Sequence, residues 1–395
     1  MELSLLRVHN VYQLPGGEDE SMRCESGLLT RNGHSVIEYF RDNAEITGYG
    51  PVKWSSLPLR TLWAWDSYSQ IRTLLRSRKP DVAHFHNTFP LISPAAYYAC
   101  RDAGVAVVQS LHNPRLICPN ASLWRRGNVC EECAERGLWR SVLHRCYRNS
   151  RAATATTALM LTVHRQLGTW KNLVDCYIVF TNFYRKKFIE AGLPERKIAV
   201  KPHFVEDHGT RRGDGAYALY VGRLAPEKGV DTLIQAWRKL PHVPLRVRGD
   251  GPLTPEIQRL AGDSGGAVQW VPRLGNNDLA TLIQGARFLV WPSEGYYETF
   301  GRIAVEAFSC GVPVVASGVG VAEEIVDERR TGLHFAAADP DDLAAKVEWA
   351  WAHPEQMAEM GRAARAEYEA KYTAERNYAM LVEIYQRAID QHQTA

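Results

Sequence analysis

Short apolar runs alternate with longer segments in which apolar residues recur at helical spacing. In the first half of the chain, this pattern predicts buried strands at residues 3–8, 35–39, 81–86 and 106–111. Helices are predicted around residues 21–32, 62–77 and 94–103. Strands that alternate with helices are typical of a parallel sheet, so the pattern predicts an α/β fold.

The same alternation resumes after a segment rich in glycine and charge at residues 203–215. Strands are predicted at 216–221, 245–249, 268–270, 288–291 and 313–316, and helices at 229–239, 255–263, 277–284 and 302–309. A chain of 395 residues is longer than one core usually supports. We therefore expect two doubly wound domains, 1–203 and 204–372, with a final helix at 373–395 that packs on the first domain.

Composition and charge narrow the class of protein. With 45% hydrophobic and 23% charged residues, the chain has the composition of a globular protein. Residues 1–200 carry 26 Lys and Arg against 17 Asp and Glu, whereas the remainder carries 21 against 27. A basic first half suits anionic lipid or a phosphorylated acceptor, although compositional scatter explains it equally well. Nucleic acid is not an expected partner, because no basic run exceeds three residues.

The start of the sequence lacks the features of an export signal. The longest weakly apolar stretch, residues 152–163, is too short to span a bilayer. These observations predict a cytoplasmic protein, with peripheral contact at the inner membrane face left open.

Two cations follow the first predicted strand of the second domain. The segment from Gly222 to Gly229 contains Arg223 and Lys228 just before a helix. A cation pair beside helix N–H groups suits a diphosphate, although either residue alone would pass as a solvated loop charge. The turn at Gly249, after the next strand, lets backbone approach a ligand closely.

Two glutamates, Glu298 and Glu306, flank the start of the predicted helix 302–309 with seven residues between them. Carboxylates accept hydrogen bonds from sugar and ribose hydroxyls, while helix N–H groups bind phosphate oxygens. Either glutamate alone would be an ordinary acidic residue near a helix start. Together with the cations on the preceding strand ends, they indicate a nucleotide-sugar site.

The motifs GRLAPEKG, GDGP and PSEGYYETFGRIAVEAFSCGVPVVAS occur in this order between residues 222 and 317. They resemble family 4 of the retaining glycosyltransferases, which has the GT-B fold: two Rossmann-like domains that face a cleft. The resemblance is strong over residues 217–336 and weaker elsewhere.

The resemblance implies that Arg223 and Lys228 bind the donor phosphates, that Glu298 holds hydroxyls of the donor sugar and that Glu306 holds the ribose. It further implies donor-binding roles for the loop glycines Gly16, Gly17, Gly222 and Gly249 and for the backbone of Thr299, Phe300 and Gly301. The donor would be a nucleotide-diphosphate sugar, with UDP- and GDP-sugars favoured, and no catalytic metal is expected. The acceptor would be a sugar, a lipid-linked molecule or a small molecule, in glycan, polysaccharide or glycoconjugate biosynthesis.

In the first domain, the loop with Gly16 and Gly17 is followed by the acidic residue Glu18. Glu18 would bind acceptor hydroxyls or would simply complement the dipole of the following helix. These two roles are equally favoured by the sequence.

Polar residues end two neighbouring strands of the first domain, with His84, His86 and Asn87 after one and His112 and Asn113 after the other. His84 is better explained as a buried structural histidine, whereas His86, Asn87 and Asn113 are candidates for the acceptor side. By the resemblance, His112 is the histidine near the transferred sugar, where it would donate a hydrogen bond to a hydroxyl or steady the leaving diphosphate.

Four cysteines, Cys118, Cys130, Cys133 and Cys146, cluster in an insert at about residues 112–150 with the spacing C-x11-C-x2-C-x12-C. Four thiolates so spaced could close a tetrahedral zinc site, and the alternative is a set of reduced structural thiols. The insert also carries eight arginines, which indicate an anionic acceptor or a membrane surface: Arg115, Arg125, Arg126, Arg136, Arg140, Arg145, Arg148 and Arg151.

Two further functions stay open at this point. A nucleotide-sugar epimerase uses the same two-domain architecture, and a zinc-containing basic scaffold without activity would share the insert. Release of free nucleotide only when acceptor is present distinguishes a transferase from both.

Overall fold

The computed structural model describes residues 2–13, 17–211, 213–272, 276–295 and 298–394. The chain divides into two compact units. The first comprises Met1–Leu123, Cys130–Lys201 and Tyr378–Ala395, and the second comprises Trp124–Val129 and Pro202–Asn377.

The first unit contains one parallel sheet of six strands in the order β2-β1-β3-β4-β7-β8. Its strands are β1 (Ser4–Val11), β2 (Ser35–Asp42), β3 (Val82–Phe85), β4 (Ala106–Ser110), β7 (Cys176–Val179) and β8 (Ile198–Val200). β3, β4 and β7 are buried along their whole length, as expected for a parallel sheet covered on both faces.

The helices of the first unit are α1 (Gly17–Arg31), α2 (Pro51–Leu62), α3 (Trp65–Arg78), α4 (Ala95–Ala103), α5 (Glu132–Arg136), α6 (Trp139–Leu143), α7 (Arg151–Gln166), α8 (Thr169–Asn172) and α9 (Asn182–Glu190). The final helix, α17 (Ala374–Gln393), starts in the second unit and continues into the first, which holds Tyr378–Ala395. Short 3-10 helices lie at Asn43–Gly48, Pro114–Leu116 and Glu195–Lys197.

The second unit contains a parallel sheet in the order β11-β10-β9-β12-β13-β14. Its strands are β9 (Tyr217–Val221), β10 (Leu245–Arg248), β11 (Val268–Val271), β12 (Ala286–Trp291), β13 (Val314–Ser317) and β14 (Gly332–Phe335), and a two-stranded hairpin is formed by β5 (Trp124–Arg125) and β6 (Asn128–Val129). Its helices are α10 (Val230–Trp237), α11 (Thr254–Asp263), α12 (Asn276–Gln284), α13 (Arg302–Ser309), α14 (Val321–Ile325), α15 (Pro340–Ala352) and α16 (Pro354–Lys371), after a 3-10 turn at Pro226–Lys228. Renumbered within the unit, this order is 3-2-1-4-5-6, the order of a Rossmann sheet.

The predicted α/β class and the two Rossmann-like sheets are confirmed. The predicted helix at 62–77 corresponds to α3, whereas the helix before it, α2, lies outside the predicted helices. The two helices are separated because Trp63 and Ala64 adopt extended backbone, and Ala64 donates its N–H to Ser93. The apolar repeat continues across this break, so periodicity alone does not reveal it.

The grouping of the hairpin Trp124–Val129 also differs from expectation, since the sequence placed the whole insert in the first domain. The indole of Trp124 lies against Gly295, where a Cβ atom would come within 2.6 Å of Trp124 Cε3. Among the described residues, no helix is both long enough and apolar enough to cross a membrane.

Candidate active site

The strand order of the second unit reverses between β9 and β12, which pair in parallel. In open α/β sheets, ligands bind at such a reversal, beyond the carboxyl ends of the two strands. The loop after β9 carries Arg223 and Lys228, and the loop after β12 carries Glu298. The fold thus brings these three predicted residues to the edge of the sheet where a ligand is expected.

Lys228 and Glu298 bond directly across this reversal. The Lys228 Nζ donates to Glu298 Oε1 at 2.6 Å, and both side chains are largely buried. The same oxygen accepts from Ser293 Oγ at 2.7 Å and from the indole nitrogen of Trp291 at 3.0 Å. Among the described residues, three donors therefore converge on one carboxylate oxygen, which fixes its position.

These contacts decide the charge of Glu298. Burial by itself would raise the pKa of the Glu298 carboxyl, but the Lys228 ammonium and the bonds from Ser293 and Trp291 bring the pKa below its ordinary value. Glu298 is therefore an anion at neutral pH. An anionic oxygen suits hydrogen bonds donated by sugar hydroxyls and does not suit a general acid.

The other two predicted charged residues, Arg223 and Glu306, each form an ion pair with a residue four positions away. Arg223 is half exposed and forms an ion pair with Glu227, four residues further along the chain. Glu306 lies on α13, where its Oε1 accepts from Arg302 Nε at 3.0 Å. The charges of Arg223 and Lys228 are thus balanced by Glu227 and Glu298.

Backbone at the predicted donor loops is close-packed. A Cβ atom on Gly249 would lie 1.8 Å from the carbonyl oxygen of Gly222, so these two loops can approach each other this closely only because residue 249 is glycine. Gly301 has φ +80° immediately before α13, and its Cβ would lie 2.0 Å from the Trp291 ring. The Phe300 side chain is buried against His203 and Tyr372. Phe300 would therefore contact a ligand through its backbone and not through its ring.

In the first unit, a pocket of about 60 Å³ is lined by four of the five polar residues predicted at the two strand ends: His86, Asn87, His112 and Asn113. Its other walls are mainly apolar and include Met160 and Leu161 from α7. Mainly apolar walls with a few convergent polar groups are the lining that ligand-binding sites have.

The side chains of the two asparagines form hydrogen bonds with backbone groups and with one neighbouring side chain. Asn87 donates to the carbonyl oxygen of Asn10 and accepts from the N–H of Phe89. Asn113 accepts from the N–H of Arg115 and donates to Tyr12 Oη. Asn87 thus shapes the loop around the pocket, and Asn113 connects the pocket to Tyr12.

The histidines form a hydrogen-bonded chain. His86 Nδ1 lies 2.9 Å from His112 Nε2, and the other nitrogen of His86 contacts a guanidinium nitrogen of Arg7. His84 bonds through both nitrogens, to Tyr385 Oη and to Ser110 Oγ, which fits the structural role expected for it. Burial lowers the pKa of His112 to about 3, with further lowering by the nearby cations, so the ring is neutral.

Behind these rings lies a buried ionic network that the sequence did not suggest. Glu25 accepts from Arg7 Nη2 at 3.0 Å and from Lys201 Nζ at 2.7 Å, and all three side chains are buried. Burial would raise the pKa of Glu25, but Lys201 and Arg7 lower it far below the ordinary value. The signal available in the sequence was an arginine in the middle of a buried strand, since such a charge needs a partner.

Ligand atoms of Glu25, His84 and His86 lie within 4.8 Å of one another, a spacing compatible with a metal ion. Two cationic side chains already bond to the Glu25 carboxylate, and Arg7 also contacts His86. A cation would compete with these charges, so we assign this group to the ionic network.

Among the loop residues predicted after β1, Gly17 begins α1 and Gly16 lies outside the described residues. Burial raises the pKa of the Glu18 carboxyl to about 8, with a further increase from Asp19, although Tyr12 and Arg115 oppose the shift. Glu18 is therefore largely protonated at neutral pH. A carboxyl group whose pKa lies near 7 can exchange a proton with a bound hydroxyl. This property favours contact with an acceptor hydroxyl over the alternative role of complementing the helix dipole.

The four cysteines of the insert are reduced, and Cys118 and Cys133 are buried. Burial raises the pKa of the Cys133 thiol to about 12, and Cys118, Cys146 and Cys130 raise it further. All three thiols are therefore near enough to act on Cys133. The zinc site stays a prediction.

Two family profiles match the chain. The family described as "Glycosyltransferase Family 4" matches residues 25–208, and "Glycosyl transferases group 1" matches residues 206–367. A D-rhamnosyltransferase of Pseudomonas aeruginosa is 30% identical over 185 residues, 46% of this chain and 47% of that protein. A D-inositol 3-phosphate glycosyltransferase of Mycobacterium avium is 33% identical over 188 residues, 46% of this chain and 44% of that protein. The chain thus spans about half the length of the named relatives that it matches.

Solved structures resemble the chain over nearly its whole length. The sucrose-phosphate synthase of Thermosynechococcus elongatus has a TM-score of 0.71 at 19% identity, covering 98% of this chain and all of that one. HepE of Anabaena, solved with UDP, has a TM-score of 0.66 at 17% identity and full coverage of both chains. These similarities show that the fold is GT-B.

Proposed function

Because the chain belongs to family 4 of the glycosyltransferases, we propose that it moves a sugar from a nucleotide-diphosphate sugar to an acceptor hydroxyl with retention of configuration. The relatives' names supply the reaction class, and the HepE structures contain UDP or UDP-glucose. UDP- and GDP-sugars are the favoured donors.

The observation that carries this proposal is the bond between Lys228 and Glu298 at the strand reversal of the second unit. A cation for the phosphates and an anion for the sugar hydroxyls are held next to each other at the position where Rossmann sheets bind ligands. Arg223 is the second phosphate cation, and the backbone N–H groups of Thr299 to Gly301 precede α13. Glu306, on the same helix, binds the ribose hydroxyls.

In the proposed reaction, the bond from the anomeric carbon to the diphosphate oxygen breaks first, and its electron pair stays on the diphosphate. Lys228, Arg223 and the helix start stabilise the developing charge without a metal ion. The acceptor oxygen then bonds to the anomeric carbon on the same face, and its proton passes to the departing diphosphate. No carboxylate becomes a covalent nucleophile.

The acceptor binds to the first unit, at the pocket that His86, Asn87, His112 and Asn113 line. His112 donates a hydrogen bond to the sugar being transferred, and Glu18 contacts acceptor hydroxyls. A sugar, a lipid-linked molecule or a small molecule with a free hydroxyl meets these requirements. The chemistry fits an enzyme of glycan, polysaccharide or glycoconjugate biosynthesis.

Nucleotide release tests the function directly. The purified chain is incubated with UDP-, GDP-, ADP- and dTDP-sugars, each with and without a panel of acceptor hydroxyls, and free nucleoside diphosphate is measured. We expect release from one of these donors that depends on acceptor. Conversion of one nucleotide sugar into another would instead identify an epimerase, and failure to bind any nucleotide would contradict the transferase.

We further propose that the four clustered cysteines bind one structural zinc ion. Cys130 and Cys133 form a C-x2-C pair at the start of α5, and the N–H of Cys130 bonds to the carbonyl of Leu123 and closes the base of the hairpin. Six residues of the insert other than glycine have left-handed backbone: Ala121, Leu123, Arg126, Arg145, Arg148 and Asn149. An insert with so little regular structure gains stability from a metal crosslink.

Metal analysis of the purified chain tests this zinc site. We expect one zinc per chain, with four sulfur ligands at about 2.3 Å by X-ray absorption spectroscopy. Cys133→Ser should lower both the zinc content and the midpoint of thermal unfolding. Cys100→Ser is the matched control, because Cys100 is a buried thiol outside the insert. Zinc-free wild-type protein, prepared without chelator, would contradict the site.

A further inference from the structure

The first unit exposes an unusual number of large hydrophobic side chains in two segments of the chain. Among the described residues, ten such side chains are exposed, and eight of them fall within residues 51–65 and 136–174. They are Val52, Trp54, Leu59, Trp65, Trp139, Leu143, Leu159 and Leu167, each between 53% and 83% exposed. We call these two segments the basic apolar face.

The helices of this face are neighbours. α7 contacts both α2 and α6, so the three helices pack together. α2 buries only Thr61 among its twelve residues, although seven of them are Val, Trp, Leu or Pro. A helix with this composition normally packs its apolar side against another part of the protein, a partner or a membrane.

The charge of the two segments indicates which kind of partner covers the exposed apolar side chains. The two segments contain nine Lys and Arg and no Asp or Glu. Arg60 and Arg140 pair with Asp66 and Glu132, which lie just outside the face. Arg136, Arg145, Arg148 and Arg151 are exposed. Exposed tryptophan and leucine among arginines are typical of surfaces that insert into the headgroup region of an anionic bilayer.

We propose that the basic apolar face docks the protein on an anionic lipid surface. The tryptophans and leucines of α2, α6 and α7 enter the boundary between headgroups and acyl chains, and the arginines bind lipid phosphates. α7 connects this surface to the acceptor pocket, since Leu159 is exposed on the face while Met160 and Leu161 line the pocket. A lipid-linked acceptor held at the bilayer surface would therefore lie close to the pocket. Docking itself does not depend on the proposed sugar transfer.

Vesicle co-sedimentation without nucleotide or acceptor tests the docking surface. Full-length protein is mixed with phosphatidylcholine vesicles or with vesicles that also contain phosphatidylglycerol. We expect binding to the anionic vesicles and weakening at high salt, because salt screens the arginine charges. No binding to either vesicle would overturn the proposal, and this result would leave the proposed transferase activity intact.

Two sets of variants locate the surface. Trp54→Ser with Leu59→Ser, and Trp139→Ser with Leu143→Ser, should each weaken binding about tenfold or more, because less apolar area leaves water. Phe40→Ser removes an exposed ring outside the face and should bind as wild type. Arg145→Gln and Arg148→Gln should each weaken binding to anionic vesicles about fivefold. The control substitutions Arg238→Gln and Arg362→Gln, in the second unit, should leave vesicle binding unchanged.

The competing occupant of an apolar face is a second copy of the chain. Sedimentation velocity of the same variants distinguishes the two. Lipid docking would be overturned if the wild-type protein is a dimer, if Trp54→Ser with Leu59→Ser dissociates that dimer, and if the protein does not bind anionic vesicles. Vesicle binding that all of these substitutions leave unchanged would overturn the assignment to this face.

Discussion

Replacing Lys228 by alanine is expected to slow sugar transfer by about 10²–10³-fold, the usual cost of removing one preorganised group that stabilises developing charge. Lys228 is held by Glu298 at 2.6 Å, at the strand ends where a Rossmann sheet binds its ligand. The effect should appear in kcat and in the affinity for nucleoside diphosphate, measured by nucleotide release and by calorimetry. Lys239→Ala is the matched control, since Lys239 is an exposed ion-paired lysine of the same unit.

The same substitution leaves the Glu298 carboxylate without its cation, so lost stability has to be separated from lost chemistry. We expect Lys228→Ala to lower the free energy of unfolding by about 1–3 kcal/mol, because a buried charge loses its partner. Adding Glu298→Gln removes that charge and should restore much of the stability but not the activity. Near wild-type transfer by Lys228→Ala would contradict the phosphate role of Lys228.

Much of the second unit follows from its sequence because strand ends and loops there are local. β9 and β12 each form a short apolar run that ends in polar residues, and a Rossmann sheet brings successive strand ends to one edge. The sequence alone therefore predicted that Arg223, Lys228 and Glu298 lie near one another. The direct bond from Lys228 to Glu298, and the two further donors on the same oxygen, depend on side-chain packing that periodicity does not encode.

The first unit was less predictable because its polar interactions span long sequence separations. Glu25 is 176 residues from Lys201, and no local pattern indicates that they meet. The sequence also did not predict α2, because apolar residues continue from it into α3 and hide the boundary between the two helices. The α2 helix, once recognised as separate, is the element that exposes Val52, Trp54 and Leu59.

The hydrogen-bonded chain from Arg7 to His112 fixes the position of the protons. A guanidinium only donates, so the His86 nitrogen that contacts Arg7 must accept, and the proton of His86 sits on Nδ1. That nitrogen donates to His112 Nε2, and His112 therefore carries its own proton on Nδ1. Because the pKa of His112 is lowered to about 3, this neutral form persists at neutral pH. His112 is thus a hydrogen-bond donor, and no titration near the ordinary histidine pKa of about 6.5 is expected from it.

This proton placement predicts an ordering among His112 variants. The amide nitrogen of asparagine lies near the Nδ1 position of a histidine ring, whereas that of glutamine lies near Nε2. We expect His112→Ala to reduce kcat by about 10²-fold, the size expected for one lost donor. His112→Asn should retain more activity than His112→Gln, measured as kcat and KM for the donor. The reverse order would contradict a donor at Nδ1.

His86 is a positioning residue in this chain, and its role can be read without any activity assay. In nitrogen NMR of histidine-labelled protein, His112 should show a protonated Nδ1 and an unprotonated Nε2. His86→Asn keeps a donor near the Nδ1 position and should preserve that signature, while His86→Phe should lose it and lower kcat with KM little changed. A His112 proton on Nε2 in the wild-type protein would contradict the arrangement, because Nε2 would then have no lone pair with which to accept from His86.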